Sequence, residues 1–179
     1  MLRRLHWGCG PITPYGWVNS DIQPGPGVDL VADILQGLPV PDDWFDYIVS
    51  IHALPEIPYP HQDRALQELR RVLRPGGVLR LSLPDMDKAI DAYKSGDIDY
   101  FFLIPDDVVR SISGKMIVQL TWYGRSRCMF TGEFAIELLS RNGFRDIQLC
   151  RFRETKSEHP GIVELDDREL ESLFIEARK

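Results

Sequence analysis

Five short apolar runs, each bounded by turn-forming residues, set the pattern of the first half of the chain. They cover residues 5–7, 18–21, 28–33, 45–52 and 78–83. Aliphatic and aromatic residues dominate these runs, and Gly, Pro, Asp or Asn clusters separate them, which is typical of buried strands. The pattern therefore predicts five strands before residue 90.

Two other stretches carry apolar residues at helical spacing. Residues 65–73 form a predicted amphipathic helix, which ends at residues 74–77 because Pro cannot continue it and Gly supplies the reversal. Thr131 can cap the start of a second helix, and Gly143 ends it. The predicted apolar face of this second helix consists of Phe134, Ile136, Leu138 and Leu139.

The end of the chain returns to strand-like patterns. Residues 147–152 and 173–177 are predicted strands that pair with each other in antiparallel fashion. The link between them, residues 153–167, is rich in charged side chains, and we expect it to be mobile.

We expect an α/β fold with a Rossmann-like, open, mostly parallel twisted sheet, an antiparallel last strand and flanking helices. Parallel neighbours need a crossover of about a dozen residues, but few residues separate the first three runs. The first crossover helix is therefore predicted to be reduced to a turn, and the second connection to be a bare loop. This would leave one sheet edge thinly covered, and a second copy of the chain, in a homodimer, is one way to cover it.

The chain of 179 residues is long enough for one domain with a sizeable core. We divide this single domain (1–179) into a cofactor-binding half (1–94), an acceptor-side cap (95–130) and a C-terminal helix with a strand pair (131–179). The cap is irregular but rich in aromatic residues.

Composition narrows the function classes. The formal net charge of −6 argues against a general nucleic-acid binder, and no apolar run is long enough to span a membrane. Cys9, Cys128 and Cys150 form no C-x-x-C pair, which favours a reduced, cytoplasmic protein without a metal site. The basic N-terminus is followed by no apolar stretch of signal-peptide type.

The turn after the first strand predicts an adenosine-containing ligand. Gly8 and Gly10 allow the ligand to approach the backbone closely, and Cys9 offers its backbone N–H. The third glycine of a dinucleotide fingerprint is replaced by Thr13, and the nearby prolines lack an N–H for a phosphate. This disfavours a nicotinamide oxidoreductase. S-adenosylmethionine, which has an adenosine but no phosphate, fits the turn better.

Carboxylates at the ends of the second and third strands extend this cofactor site. Asp21 can accept hydrogen bonds from two ribose hydroxyls, although a solvated strand end is the alternative. Asp33 suits the adenine amino group, although it can instead cap the next turn. Ile34 is either an apolar wall for adenine or a core residue. We also include Ile22 and Ser50 among the predicted cofactor contacts.

At this point the chain resembles the small class I S-adenosylmethionine-dependent methyltransferases of the type 11 kind. The resemblance rests on residues 5–10, 16–21, 38–48 and 68–77, the last of which contains the specific R-V-L-x-P-G-G pattern, and on the tail at 172–177. It implies S-adenosylmethionine as cofactor and methyl transfer to a small molecule, such as an oxygen of a sugar, a lipid or a secondary metabolite.

The chain departs from this family at two places. His6 stands where the family usually has an acid or Asn, and Pro55 interrupts the H-x-L-E-H pattern that often follows the fourth strand. The altered segment at residues 52–56 and the reduced helices leave a catalytically degenerate cofactor-binding or interaction module as the alternative function. The candidate catalytic residues are His52, as a general base or merely a loop hydrogen-bond partner, and Asp85, which follows the fifth strand.

The sequence gives fewer indications of the residues that contact the acceptor. Trp122 and Tyr123 either form the wall of an acceptor pocket or belong to the core. Residues 110–153 are rich in basic side chains although the net charge of the chain is negative. This indicates either an anionic acceptor or a solvated face. The basic residues are Arg110, Lys115, Arg125, Arg127, Arg141, Arg145, Arg151 and Arg153.

Overall fold

A seven-stranded sheet forms the centre of the computed structural model, which describes residues 2–179. The strand order is β3-β2-β1-β4-β5-β7-β6, and β7 runs antiparallel to both of its neighbours while the first five strands are parallel. The expected fold class is thereby confirmed. The strands are β1 (Arg4–Trp7), β2 (Val18–Asp21), β3 (Leu30–Val31), β4 (Phe45–Ile51), β5 (Leu73–Pro84), β6 (Arg145–Cys150) and β7 (Ser172–Arg178).

Four α-helices accompany the sheet in the described part of the chain. They are α1 (Gln62–Val72), α2 (Met86–Ser95), α3 (Ile112–Thr121) and α4 (Gly132–Arg141). The Thr131 side chain caps α4 by accepting a hydrogen bond from the Phe134 N–H at 3.2 Å, as predicted. Ile136 is partly exposed instead of lying on the buried face, where Ala135 takes its place.

The first three strands are joined without helices. A turn closed by the Ile12 N–H and the Cys9 carbonyl follows β1, and a loop anchored by Asp29 follows β2. The Asp29 carboxylate accepts the Asn19 N–H at 2.8 Å, and Asn19 accepts the Asp29 N–H in return. The predicted loss of the first crossover helix is confirmed.

The two faces of the sheet are covered differently. On one face, α1 and α4 belong to the main core, in which α1 packs against β5 and α4 packs against β6 and β7. On the other face, Ile162, Val163 and Leu165 pack against Trp17, Tyr47, Val49 and Val78. These three residues belong to residues 153–167, the covering segment. We expected a mobile link here, and in the structure the segment packs on the sheet and supplies the apolar cover that a crossover helix would otherwise supply.

A buried ion cluster fastens the covering segment to the sheet. Arg80, on β5, is fully buried between Asp166 and Glu176. Its guanidinium donates to Asp166 Oδ1 at 2.8 Å and to Glu176 Oε1 at 2.7 Å. Although burial lowers the pKa of Arg80, the two carboxylates raise it above its usual value, and the side chain stays charged. Of the acidic residues of the segment, Asp166 is therefore structural, while Glu154, Glu158, Glu164 and Asp167 are exposed.

The stretch from α2 to Phe130, which contains the cap (residues 95–130), starts and ends at the same point of the sheet. Asp85 forms a bridge with Phe130, and the Met86 N–H donates to the Phe130 carbonyl at 2.9 Å. Between these points α2, a short turn and α3 enclose a small core of Ala89, Ala92 and Phe101. Within residues 2–179, no helix is long and apolar enough to cross a membrane.

Candidate active site

A cavity of about 990 Å³ opens at the carboxyl ends of the parallel strands. It lies where the strand order reverses between β1 and β4, the place at which open α/β sheets usually bind ligands. The ends of β1, β2 and β3 line one half, and the cap and the end of the covering segment line the other. The volume is at the upper end of ordinary small-molecule sites, which suits a cofactor together with an acceptor.

The glycine turn forms the floor of the first half. Gly8 and Gly10 have positive φ angles of 67° and 53°, which L side chains rarely adopt. The Gly8 and Cys9 N–H groups both donate to the Ser20 carbonyl, at 2.8 and 3.0 Å. A Cβ on Gly10 would meet no atom within 4 Å, so its α-carbon faces open space in the cavity.

Asp21 joins this turn to the end of β2. Its Oδ2 accepts the Gly10 N–H at 2.8 Å, and its Oδ1 accepts the Gln23 N–H at 2.9 Å. Each oxygen keeps a second lone pair for a ligand, because a carboxylate can accept about four hydrogen bonds. The carboxylate lines the cavity beside Gly10, in a position to accept hydroxyl donors.

Asp33 and its neighbours form the next part of the wall. Asp33 Oδ1 accepts the Leu35 N–H at 2.9 Å, an Asx-type turn that leaves Oδ2 without a partner in the described chain. Both proposed roles of Asp33 are thus compatible with its position. Ile34 is buried and Ile22 is exposed, and both line the cavity with Asp33.

Two other predicted contacts differ in their surroundings. Cys9 lines the cavity, and burial raises the pKa of its thiol to about 11, so the thiol is protonated at neutral pH. Ser50 is buried inside β4 and does not belong to the cavity lining. Of the eight predicted cofactor residues, the structure brings seven together and leaves Ser50 apart.

His6 is a cavity residue that our sequence reasoning named only as a departure from the family. It is 2% exposed and lines the cavity beneath the glycine turn. Burial lowers its pKa to about 4, although Ile12 and Asp21 oppose the change, so the ring is neutral at pH 7. Its Nδ1 is buried without a hydrogen-bond partner among residues 2–179. The sequence signal that could have identified His6 as a site residue is its position as a polar residue inside a buried strand.

His52 follows β4 in a left-handed conformation, with φ at 55°. Its ring Nε2 lies 2.7 Å from the Ser172 hydroxyl, and its backbone N–H donates to the Ser82 carbonyl. Burial, together with Arg168, lowers the pKa of His52 to about 3. His52 is therefore neutral at pH 7 and a weak base, since an effective general base has a pKa near the working pH.

Asp85 lies across the cavity, at the end of β5. Its Oδ1 accepts the Asp87 and Lys88 N–H groups at the start of α2, and its Oδ2 has no partner in the described chain. Burial raises the pKa of Asp85 above its usual value. Burial, Asp85 and Glu171 all raise the pKa of the Tyr100 phenol, which lines the same wall.

The cap supplies the remaining wall. Trp122 lines the cavity under Arg168, whose guanidinium lies 5.4 Å from the centroid of the indole ring. Tyr123 is 57% exposed and does not line the cavity, so only Trp122 fits the predicted acceptor wall. The described residues contain no cluster of His, Cys, Asp and Glu that could hold a metal ion.

Comparison with known proteins agrees with this geometry. Residues 18–81 match a family model described as "Methyltransferase domain". The chain is 30% identical over 115 residues to the demethylmenaquinone methyltransferase of Lysinibacillus sphaericus, a match that covers 64% of this chain and 47% of that protein. It is 44% identical over 54 residues to a phthiotriol/phenolphthiotriol dimycocerosates methyltransferase of Mycobacterium ulcerans, covering 30% and 19%. The chain thus spans about half the length, or less, of these relatives.

Solved structures share the fold at low identity. An S-adenosylmethionine-dependent methyltransferase of Thermotoga maritima has a TM-score of 0.62 at 18% identity, covering 99% of this chain and 82% of that one. A Haemonchus contortus phosphoethanolamine N-methyltransferase in complex with S-adenosyl-L-methionine has a TM-score of 0.58 at 15% identity, covering 99% and 48%. The predicted fold class and the predicted resemblance to methyltransferase domains are confirmed.

Proposed function

Because the chain carries a class I S-adenosylmethionine-dependent methyltransferase domain, we propose that it transfers a methyl group from this cofactor to a small-molecule acceptor. The cavity carries the proposal, since it combines an open glycine turn with two carboxylates at neighbouring strand ends. The cofactor supplies an activated methyl group on a positively charged sulfur.

In this proposal the first half of the cavity holds the nucleoside. Asp21 accepts the ribose hydroxyls, Asp33 or its turn meets the adenine edge, and Ile34 packs against the ring. Gly10 leaves room for the ligand because nothing occupies the place of a Cβ. The neutral ring of His6 adds no positive charge next to the sulfonium.

The chemistry requires alignment more than acid–base help. A lone pair of the acceptor forms the new bond to the methyl carbon while the carbon–sulfur bond breaks and its electrons stay on sulfur. Holding the attacking atom in line with the breaking bond is the main contribution of the protein. If the acceptor must lose a proton, the free Oδ2 of Asp85 is better suited to take it than His52.

We propose that the methylated atom is an oxygen of a sugar, a lipid or a secondary metabolite. This acceptor molecule can be anionic. The two curated relatives named above are methyltransferases named for demethylmenaquinone and for phthiotriol or phenolphthiotriol dimycocerosates. We further propose that the protein acts in the cytoplasm, in line with its three free cysteines, and forms a homodimer.

Binding of S-adenosylhomocysteine, measured by calorimetry, tests the cofactor site. We expect binding to the wild type and at least tenfold weaker binding to Asp21→Ala, because the ribose loses its acceptor and the glycine turn loses a hydrogen bond. Asp91→Ala, which removes an exposed carboxylate on α2, is the control and should bind like the wild type. Equal affinity in all three proteins would contradict the proposed site.

A cofactor-binding module without catalysis is the second candidate function. If the reaction needs a general base, the low pKa of His52 and its contact with Ser172 favour this second candidate, because His52 then cannot serve as that base. Binding of S-adenosylhomocysteine with no methyl transfer to a broad panel of sugars, lipids and phenols would support this candidate. Transfer of labelled methyl to any of them would exclude it.

A further inference from the structure

Two polar groups of the cap, one on a buried and one on a half-buried side chain, lie buried at the cavity wall without partners. The Tyr100 hydroxyl and the Gln119 Oε1 have no hydrogen-bond partner among residues 2–179, and Gln119 is 8% exposed. Both residues line the cavity. A buried polar atom without a partner is destabilising, and native proteins rarely keep one without a ligand or water to satisfy it. These groups are therefore suited to bind something that enters the cavity.

Two arginines of the same wall are also unpaired. Arg125 and Arg127 line the cavity, and neither side chain forms an ion pair or a hydrogen bond with any residue in the described range 2–179. Arg168, the third cavity arginine, differs because it lies 3.6 Å from Glu171 and over Trp122. Two guanidinium groups are thus free to bind an anion.

The backbone that presents these arginines is strained. Trp122, Tyr123 and Gly124 have successive φ angles of 44°, 55° and 87°. Two neighbouring non-glycine residues in this region are unfavourable, and such strain persists mainly where it places functional groups. Here it turns Trp122 inwards and brings Arg125 to the cavity directly after it.

We propose that the acceptor carries a phosphoryl group, which Arg125 and Arg127 bind, and a neighbouring hydroxyl or amine, which Gln119 and Tyr100 hold. This inference rests on the methyl-transfer function proposed above and names the substrate class of that same site. Guanidinium groups match phosphate oxygens through paired N–H donors. The cofactor half offers no such cation, because its charged side chains are Asp21 and Asp33.

The carboxylates of the acceptor half fix the orientation of this acceptor. Glu56, Asp85, Asp167 and Glu171 line the same half of the cavity. A phosphoryl group is repelled by them and is stable only beside the two arginines. We place the atom to be methylated at the opposite end of the acceptor, towards the cofactor half of the cavity.

Titration of inorganic phosphate into protein saturated with S-adenosylhomocysteine tests the proposal. We expect phosphate to bind the wild type and to bind R125Q/R127Q at least tenfold more weakly, with unchanged affinity for S-adenosylhomocysteine. R64Q, which removes an exposed arginine of α1 away from the cavity, is the matched control and should behave like the wild type. Equal phosphate affinity in the wild type and R125Q/R127Q, or none in the wild type, would overturn the phosphoryl site.

The same samples separate this inference from the proposed function. If S-adenosylhomocysteine binds but phosphate does not, the phosphoryl site is wrong and the cofactor site stands. If S-adenosylhomocysteine fails to bind the wild type, the proposed function fails and the inference with it. Co-sedimentation with phosphatidylcholine vesicles containing phosphatidic acid, lost in R125Q/R127Q, would identify a lipid as the source of the phosphoryl group. Phosphate binding without co-sedimentation would identify a soluble acceptor.

Thermal unfolding of the ligand-free protein gives a second, independent readout. Tyr100→Phe and Gln119→Met should not lower the melting temperature, because neither removes a hydrogen bond of the empty protein. Both should weaken binding of a phosphorylated polyol such as glycerol 3-phosphate relative to inorganic phosphate. A drop of several degrees in both variants would show that these groups serve the fold, and would contradict their assignment to the acceptor.

Discussion

Gly8 and Gly10 share a positive φ, but an added methyl group would have different surroundings at the two positions. At Gly8 it would lie 2.1 Å from the Cβ of Ala53, while at Gly10 it would project into the cavity. The two positions therefore separate the stability of the turn from its use as a ligand site.

We predict that Gly10→Ala costs about 1–2 kcal/mol of unfolding free energy, from the positive φ alone, and abolishes binding of S-adenosylhomocysteine. Gly8→Ala should cost more, because about 1–3 kcal/mol of overpacking against Ala53 adds to the same strain. Urea unfolding and calorimetry measure the two effects. Retained binding in Gly10→Ala would show that the cofactor does not approach this α-carbon.

His6 gives a pH-dependent prediction. Its pKa falls from 6.5 in the unfolded chain to about 4 in the fold, mainly through burial. Between these pH values the unfolded chain binds the proton and the native protein does not, so acidification favours unfolding. This loss of stability begins as the pH falls below about 6.5 and is complete below about 4.

We predict that His6→Gln flattens the decline of unfolding free energy between pH 6 and pH 4.5 by about 1.4 kcal/mol per pH unit. Urea unfolding across this range measures the slope, and His61→Gln, an exposed histidine before α1, is the control. Parallel curves for the wild type and His6→Gln would show that His6 takes up protons equally in both states.

Site residues with a strong local signal were predictable from the sequence. The glycines and Asp21 follow apolar runs at short spacing, so their place at the sheet edge follows from strand geometry. Gln119 and Tyr100 carry no such signal, because their meaning depends on which partners they lack in three dimensions. Ser50 resembled a strand-end residue, but it lies one residue inside β4 and is buried there.

Among the elements, the covering segment contrasts most with its sequence. Its charged composition predicted an exposed link, but Asp166 is fully buried beside Arg80. The pairing joins positions 86 residues apart, and no local pattern reveals a contact of that kind. The helices and strands with regular apolar spacing were, by contrast, predictable, since their burial repeats with their own period.

We predict that Asp166→Ala lowers the unfolding free energy by about 3 kcal/mol, because it leaves a buried guanidinium with one carboxylate instead of two. The variant should also become sensitive to limited proteolysis within residues 153–167. Asp42→Ala removes an exposed partner of Arg71 and should cost less than about 1 kcal/mol. Similar losses in the two variants would contradict the structural role of the buried cluster.

At the scale of the whole molecule, the sheet ends in a weak edge. The edge strand β3 has two residues, and one of them, Val31, is exposed. The missing crossover helix was predictable from the short connections. The covering of the second face was not, because it depends on chain that returns from the C-terminal half.

The proposed homodimer is tested at this edge. We expect light scattering to give twice the 20.6 kDa chain mass at high protein concentration, and Val31→Lys to shift the population towards monomer, because a lysine on an edge strand disfavours pairing. Asp29 should be left intact in such variants, since it anchors the adjacent loop. A monomer at every concentration would exclude the dimer.

The path of the covering segment has a consequence for how the protein can diversify. The stretch of chain that seals the back of the sheet with Ile162 and Leu165 runs on, within a few residues, to Asp167 and Arg168 at the mouth of the cavity. Substitutions in this stretch that change acceptor specificity would also disturb its packing against the sheet. New acceptors are more easily gained through the cap, whose small core stands apart from the sheet.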